Sequence, residues 1–226
     1  MLETPFPPDQ SGPWVEIERE TVPYTFRGLF RVIEADLRYR RFDGRMSKSI
    51  KRINFERGDA VGVLLYDAEQ DAVVLVRQFR YPVYVRLSPE ARAGAGAQEA
   101  WILEIVAGVV EAGQTAPEVG RRELLEETGY VIQGSLHFIA TIYPSPGGTS
   151  ERIHIYWGEV RVQERTHTGG GLEAEGEDTQ VFTVPFKAAM DMVAGGEIVD
   201  AKTIIALQHL ALHKAERLSS QRLVEA

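Results

Sequence analysis

Three glutamates, Glu123, Glu126 and Glu127, lie close together in a segment with a helical pattern. At 3.6 residues per turn, Glu123 and Glu127 fall on one face of a helix and Glu126 lies between them in angle. Like charges at this spacing cost a helix roughly a few tenths of a kcal/mol per pair, and Arg122 can offset Glu126 but not all three. The cluster favours a bound divalent cation such as Mg²⁺, which takes carboxylate and phosphate oxygens as ligands. A solvated acidic face is the alternative.

The helix that positions these glutamates is predicted over residues 115–128. Thr115 and Glu118 form a capping box at its start, and Gly129 stands where a helix ends in a left-handed residue. Ala107-Gly108, just before the helix, ends a predicted strand, and a backbone carbonyl there could point into the same site. The predicted helix and strand thus bring oxygen ligands of two kinds together.

A second acidic cluster lies in a glycine-rich loop predicted over residues 167–178. It contains Glu173, Glu175, Glu177 and Asp178. This loop could fold over the helical glutamates and add carboxylates to the same site. Crowded carboxylates raise one another's pKa in the absence of a cation, which suits a proton acceptor close to a metal.

Residues 108–130 resemble the Nudix box of the Nudix hydrolases, G-x5-E-x7-R-E-U-x-E-E-x-G-U, in which U is apolar. Every fixed position matches except Gln114, where the family has glutamate. Gln114 lies one position before the predicted N-cap, away from the glutamate face, and we expect catalysis to survive it. The resemblance implies hydrolysis of a nucleoside diphosphate linked to another group.

The resemblance extends over roughly residues 20 to 215 and is closest to the bacterial ADP-ribose pyrophosphatases. The GDP-mannose pyrophosphatase branch is also similar, notably at residues 169–171 and in an insertion after Arg80. The matching segments outside the box are residues 44–47, 55–58, 77–80, 103–108, 145–151, 175–177 and 195–212.

The resemblance implies a bound Mg²⁺, with Mn²⁺ as a substitute. Its ligands would be the Ala107 carbonyl, Glu123, Glu126, Glu127 and Glu177, with Glu126 either a direct ligand or a partner through water. Metal ions of this kind polarise phosphoryl oxygens and lower the pKa of a bound water.

The resemblance also implies roles for residues beyond the metal ligands. Glu175 would be the general base, with a mobile acidic loop residue as the alternative. Arg122 would orient the glutamates. Arg52 and Arg80 would hold phosphate oxygens through their planar guanidinium groups, with a surface salt bridge as the alternative for each. Glu151 would contact the substrate.

Two regions depart from the family pattern. The aromatic residue that stacks on adenine in the family falls at Leu29 here, with Phe30 adjacent, so an aromatic sandwich is in doubt. Residues 87–99 form a longer insertion, which we expect to be a solvent-exposed loop; shaping of the pocket is the alternative.

The elements around the motif alternate between strands and helices, which predicts an α/β protein. The resemblance implies a Nudix α/β/α sandwich with a mixed sheet, plus a small N-terminal β domain over residues 1–57 before a hydrolase domain over 58–226. It also implies a homodimer that exchanges the N-terminal domain. Strands are predicted at 24–42, 50–55, 60–66, 72–79, 101–106, 131–142 and 153–162, and further helices at 185–193 and 201–218.

Composition narrows the function classes. The 226-residue chain carries a formal charge of −8, which argues against nucleic acid or an anionic membrane as a partner. It has no cysteine, which excludes disulfides, thiolate metal sites and cysteine nucleophiles. The N-terminus has no secretory pattern and no apolar run is long enough to cross a membrane, so a cytoplasmic protein is expected.

These observations predict Mg²⁺-dependent hydrolysis of the pyrophosphate of ADP-ribose to AMP and ribose 5-phosphate. One alternative is a pyrophosphatase for GDP-mannose or for nucleoside diphosphate sugars in general. Another is a non-catalytic module that senses ADP-ribose. That hypothesis predicts eroded glutamates or an attached DNA-binding domain, whereas the helical glutamates of the box, Glu123, Glu126 and Glu127, are all present.

Overall fold

The computed structural model describes residues 12–27, 30–171 and 178–224, and side chains up to residue 216. The described chain divides into two compact units. The smaller contains the described part of Met1–Gly58 together with Ser145–Glu151, and the larger contains Asp59–Pro144 and the described residues from Arg152 onward. The predicted division at residue 57, with exchange between protomers, stays a prediction.

The smaller unit is an antiparallel three-stranded sheet. Its strands are β1 (Val15–Phe26), β2 (Phe30–Tyr39) and β3 (Ile50–Glu56), in the order β1-β2-β3. The first strand was predicted to begin at Tyr24, so most of β1 was not predicted. Most of the β1 side chains are exposed, so the strand lacks the alternation of apolar and polar residues by which a half-buried strand is recognised.

The larger unit is built on a mixed seven-stranded sheet with a central order of β10-β5-β4-β9-β8. Strand β4 pairs in parallel with β9, and the other pairs are antiparallel; β6 pairs with β5, and β7 pairs with β4. The strands are β4 (Asp59–Asp67), β5 (Ala72–Phe79), β6 (Trp101–Glu104), β7 (Val106–Val110), β8 (Gln133–Ile142), β9 (Ile153–Glu159) and β10 (Gln180–Pro185).

Helices cover both faces of this sheet. The helices are α1 (Tyr81–Tyr84), α2 (Pro89–Ala93), α3 (Ala116–Thr128), α4 (Phe186–Gly195) and α5 (Ala201–Val224). Alternate residues of β4 separate two cores: Leu64 packs with side chains of α4 and α5, whereas Val63 packs with side chains of α3. The predicted α/β/α sandwich with a mixed sheet and a separate N-terminal sheet is confirmed. Among the described helices, none has the length and apolar character needed to cross a membrane.

Two local predictions were wrong in part, and one strand was not predicted. Residues 87–99 lie at the surface as expected, since none of them is buried, but they are not a plain loop. Ser88 caps α2 by accepting the Ala91 N–H at 3.1 Å, and a 3-10 helix follows at Ala95–Ala100. The strand predicted at 101–106 is two strands, which separate where the Ile105 N–H bonds to a threonine hydroxyl of α5. Strand β10 was not predicted.

Candidate active site

Helix α3 is held by the local signals expected from its sequence. The Glu118 carboxylate accepts a hydrogen bond from the Thr115 backbone N–H at 3.0 Å, and Gly129 ends the helix at φ 72°. At Gly120 an added Cβ would lie 2.8 Å from Val63 Cγ2, so this glycine lets the helix approach β4 closely. Packing and capping therefore fix the face that carries the glutamates.

The glutamates of α3 differ in their surroundings. Glu123 is 9% exposed and Glu127 is 2% exposed, whereas Glu126 is partly exposed. Arg122 lies 3.0 Å from Glu126, as the i, i+4 spacing predicts, and also 2.7 Å from Glu123. Burial lowers the pKa of Arg122, but the two carboxylate charges outweigh it and the pKa is raised. The solvated acidic face is thus wrong for two of the three glutamates.

Strand β7 has a glycine, Gly108, where it lies against the Glu123 side chain. A Cβ added to Gly108 would lie 2.3 Å from Glu123 Cγ, so the carboxylate-bearing chain occupies the space that any other residue at 108 would fill. This brings the carboxylate against the middle of β7, one residue after Ala107. Buried carboxylates beside a backbone carbonyl are the donor chemistry that Mg²⁺ prefers. Within the described ranges, no three His, Cys, Asp or Glu side chains are gathered closely enough to hold a metal ion.

The glycine-rich segment 165–171 is bound to the C-terminal end of α3. Gly170 donates its N–H to the Glu127 carbonyl at 2.9 Å and accepts the Thr179 N–H at 3.0 Å. Gly169 has φ +63°, and an added Cβ would lie 2.1 Å from the Glu127 carbonyl oxygen. Both flanks of the acidic segment 172–177 are therefore connected, through Gly170, to the backbone of a predicted metal ligand.

Arg165 strengthens this attachment and was not recognised in the sequence. Its Nε donates to the Thr128 carbonyl at 2.7 Å, its Nη2 donates to the Thr168 carbonyl, and its guanidinium lies 5.6 Å from the centre of the Tyr130 ring. A cation at a helix C-terminus is favourable, because the final carbonyl groups carry partial negative charge and lack helical partners. No local spacing pattern connects Arg165 to α3.

Arg80 lies in the larger unit, in an ion pair with buried Glu104. Its Nε is 3.0 Å from Glu104 Oε1 and 3.1 Å from Oε2, and the side chain remains 37% exposed. Burial lowers the pKa of Arg80, but the Glu104 hydrogen bonds and the charges of Glu104, Glu127 and Asp200 raise it above its usual value. Among the α3 glutamates, Glu127 is thus within electrostatic range of Arg80.

Arg52 and Glu151 lie in the smaller unit. Arg52 is exposed, and its guanidinium donates to the Lys51 carbonyl at 2.9 Å. Glu151 is 9% exposed and lies 3.4 Å from the Arg57 Nε, in the loop 145–151. The Phe30 ring stacks on Phe55 at 5.9 Å, so the sheet offers an aromatic pair beside the position where the sequence has leucine.

Three predicted site residues, Leu29, Glu175 and Glu177, lie outside the described residues. Gln114 is exposed before the N-cap, where its Oε1 accepts the Glu111 N–H at 3.3 Å, so it takes part in the turn ahead of α3.

This chain is similar to known proteins in domain family, sequence and fold. The model of the NUDIX domain matches residues 56–208. ADP-ribose pyrophosphatase of Escherichia coli strain K12 is 39% identical over 202 residues, covering 87% of each chain. GDP-mannose pyrophosphatase of Salmonella typhimurium strain LT2 is 39% identical over 161 residues, covering 71% of this chain and 77% of that one. A crystal structure of an ADP compounds hydrolase shares the fold, with a TM-score of 0.63, 20% identity, and coverage of 94% of this chain and 98% of that chain.

Proposed function

This chain belongs to the NUDIX hydrolase family, and on that premise we propose that it hydrolyses the pyrophosphate bond of ADP-ribose to AMP and ribose 5-phosphate. The observation that carries the proposal is the pair of buried carboxylates, Glu123 and Glu127, on helix α3, with the Glu123 side chain lying against Gly108 of strand β7. Mg²⁺ takes one or two carboxylates together with substrate phosphates as ligands, and these carboxylates supply that chemistry.

The choice of ADP-ribose is supported by the extent of similarity. The ADP-ribose pyrophosphatase of E. coli covers 87% of this chain, whereas the GDP-mannose pyrophosphatase of S. typhimurium covers 71% at the same identity. Equal identity keeps GDP-mannose, or a broad range of nucleoside diphosphate sugars, as the second candidate.

The residues proposed to hold Mg²⁺, with Mn²⁺ as a substitute, are the Ala107 carbonyl, Glu123, Glu126, Glu127 and Glu177. When bound, the metal would supply charge that polarises the phosphoryl oxygens and lowers the pKa of a nearby water. The described residues provide carboxylate and backbone oxygens of the kind that Mg²⁺ binds, because the Glu123 side chain lies against Gly108 of β7, next to Ala107. Arg122 holds Glu123 and Glu126 through its two ion pairs.

The other side chains divide the remaining work. Glu175 is proposed to accept the proton of the attacking water. Arg80 and Arg52 bind phosphate oxygens. Glu151 contacts the substrate from the loop 145–151. An arginine suits phosphate because its planar N–H groups can donate two parallel hydrogen bonds.

We also propose that the enzyme is a homodimer. The smaller unit exposes large apolar side chains, including Ile17 at 60%, Tyr24 at 56%, Phe42 at 71% and Ile53 at 59%. Apolar surface of this kind marks a site of protein association. Sedimentation equilibrium would give twice the chain mass if the proposal holds and the single-chain mass if it fails. The cytoplasmic location stays a prediction.

The reaction is tested by incubating the protein with ADP-ribose and Mg²⁺ and identifying the products by chromatography. We expect AMP and ribose 5-phosphate in equal amounts, and no turnover after removal of Mg²⁺ with a chelator. Glu127→Gln should lack turnover while keeping the folded circular dichroism spectrum. An unaltered protein that binds ADP-ribose but releases no AMP would instead support the non-catalytic sensing module.

A further inference from the structure

Four charged side chains, two of them buried, form a group between strand β6 and the start of helix α5. They are Arg80, Glu104, Asp200 and Lys202, all in the larger unit. Glu104 is 2% exposed and Lys202 is 7% exposed. Burying an ion is costly unless it is paired and hydrogen-bonded, and lysine is rarely buried at all. The sequence pattern indicates no role for Glu104, Asp200 or Lys202.

The Glu104 carboxylate is shared by two cations. Arg80 donates to both of its oxygens, and Lys202 Nζ lies 3.2 Å from Oε2. The same Nζ lies 3.0 Å from Asp200 Oδ1. The charges therefore alternate along a chain from Arg80 to Asp200, and the four formal charges sum to zero.

The first turn of α5 holds the far end of this chain in place. Asp200 Oδ2 accepts the Thr203 backbone N–H at 3.0 Å and its hydroxyl at 2.6 Å. The Thr203 Oγ1 in turn accepts the Ile105 N–H at 2.8 Å, one residue after Glu104. A rigid helix start is thus fastened to the strand end that carries Glu104, and this leaves the charged group little freedom to rearrange.

The balance of charge in this group sets how much positive charge Arg80 presents to an anionic ligand. Nε and Nη2 of Arg80 are committed to Glu104, and the partly exposed guanidinium retains its remaining donors for an anion. If Glu104 had Arg80 as its single partner, the carboxylate would cancel most of the guanidinium charge. Lys202 also neutralises part of the Glu104 charge, and Asp200 in turn neutralises part of the Lys202 charge.

We propose that Lys202 and Asp200 are positioning residues that act through Glu104 to fix the Arg80 guanidinium and set the positive charge it presents to the substrate pyrophosphate. This inference rests on the proposed function, in which Arg80 binds a substrate phosphate. Neither residue needs to touch the substrate for this role. Their effect is on binding, so KM responds more than kcat.

Two substitutions of opposite charge give the test. Lys202→Met leaves the group with a net negative charge, which weakens the attraction of Arg80 for the substrate phosphates. The KM for ADP-ribose at saturating Mg²⁺ should therefore rise on the order of tenfold, as expected for the loss of one charge at an intermediate effective dielectric constant. Asp200→Asn keeps an oxygen that can cap α5 and removes a negative charge, so KM should fall. Lys202→Arg keeps the positive charge and should keep the KM of the unaltered protein. Lys187→Met removes an exposed lysine as a matched control and should change nothing.

A role in folding alone would move the two variants in the same direction, lowering the melting temperature with KM unchanged, and that result would overturn the inference. If Lys202→Met does not fold, Asp200→Asn decides alone: a lower KM supports the inference, and an unchanged one overturns it. If the unaltered protein does not hydrolyse ADP-ribose, the proposed function fails separately. The variants are then compared by calorimetric Kd for ADP-ribose, where opposite shifts support the inference and equal values overturn it.

Discussion

The substitution Gly108→Ala tests whether the position of the Glu123 carboxylate matters for catalysis. The added Cβ would lie 2.3 Å from Glu123 Cγ and 2.5 Å from its Cδ. Unstrained carbon contacts lie at about 3.5–4.0 Å, so the side chain must move by about 1 Å or more. Overpacking of this kind costs about 1–3 kcal/mol, which lowers the melting temperature by roughly 2–12 °C in a chain of this size.

The catalytic effect should be larger than the stability effect. A misplacement of about 1 Å in a reacting constellation costs on the order of a hundredfold in rate. We therefore expect kcat for ADP-ribose to fall by about this factor at 25 °C, with a higher Mg²⁺ concentration needed for half-maximal rate. The assay is initial-rate turnover across a Mg²⁺ titration, beside thermal denaturation followed by circular dichroism.

Gly195→Ala is the matched control, because its Cβ would meet no atom closer than 3.8 Å. It should leave both the rate and the Mg²⁺ dependence unchanged. The reasoning is refuted if Gly108→Ala loses stability but keeps the wild-type kcat and Mg²⁺ dependence. Glu123 would then be a packed helix residue with no part in the metal site.

Three further predictions follow from single residues. Glu127→Gln should lower kcat by about a hundredfold or more while the protein stays folded, and wild-type turnover in this variant would remove Glu127 from the metal site. Gly169→Ala forces a side chain into φ +63° against the Glu127 carbonyl and should lower both the melting temperature and kcat, whereas unchanged kcat would show that the glycine-rich segment does not support the site. Burial raises the pKa of Asp67, but backbone N–H donors from Val162, Gln70 and Glu69 outweigh burial and hold it below its usual 3.8. Its stabilisation is therefore present above about pH 4 and is lost as the pH falls through the lowered pKa. In urea unfolding, Asp67→Asn should cost about 2 kcal/mol at pH 7 and progressively less below pH 4, and a cost independent of pH would contradict this.

Local chemistry explains what the sequence predicted well. The capping box and left-handed Gly129 bound α3 correctly, because both depend on residues within a few positions of each other. The Arg122–Glu126 pair follows from helical spacing alone. The hairpin of β4 and β5 follows from two apolar runs joined by a polar turn.

Long-range contacts explain what the sequence could not predict. Glu104 and Lys202 are far apart in the chain, and neither has neighbours whose spacing indicates a charged group. A glutamate inside an apolar strand is the one available signal, because a buried acid needs a partner. Arg165 likewise reaches α3 through tertiary contacts. Strand β1 was missed because exposure of most of its side chains removes the periodic pattern.

The most direct test of the central claim is kcat/KM of the unaltered protein for ADP-ribose, GDP-mannose, NADH and a diadenosine polyphosphate under identical Mg²⁺. We expect ADP-ribose to have the highest value, with turnover absent in Glu127→Gln. A higher kcat/KM for GDP-mannose would contradict the assigned substrate while leaving the metal site intact. No turnover of any of the four would contradict the proposal that this chain is an active pyrophosphatase.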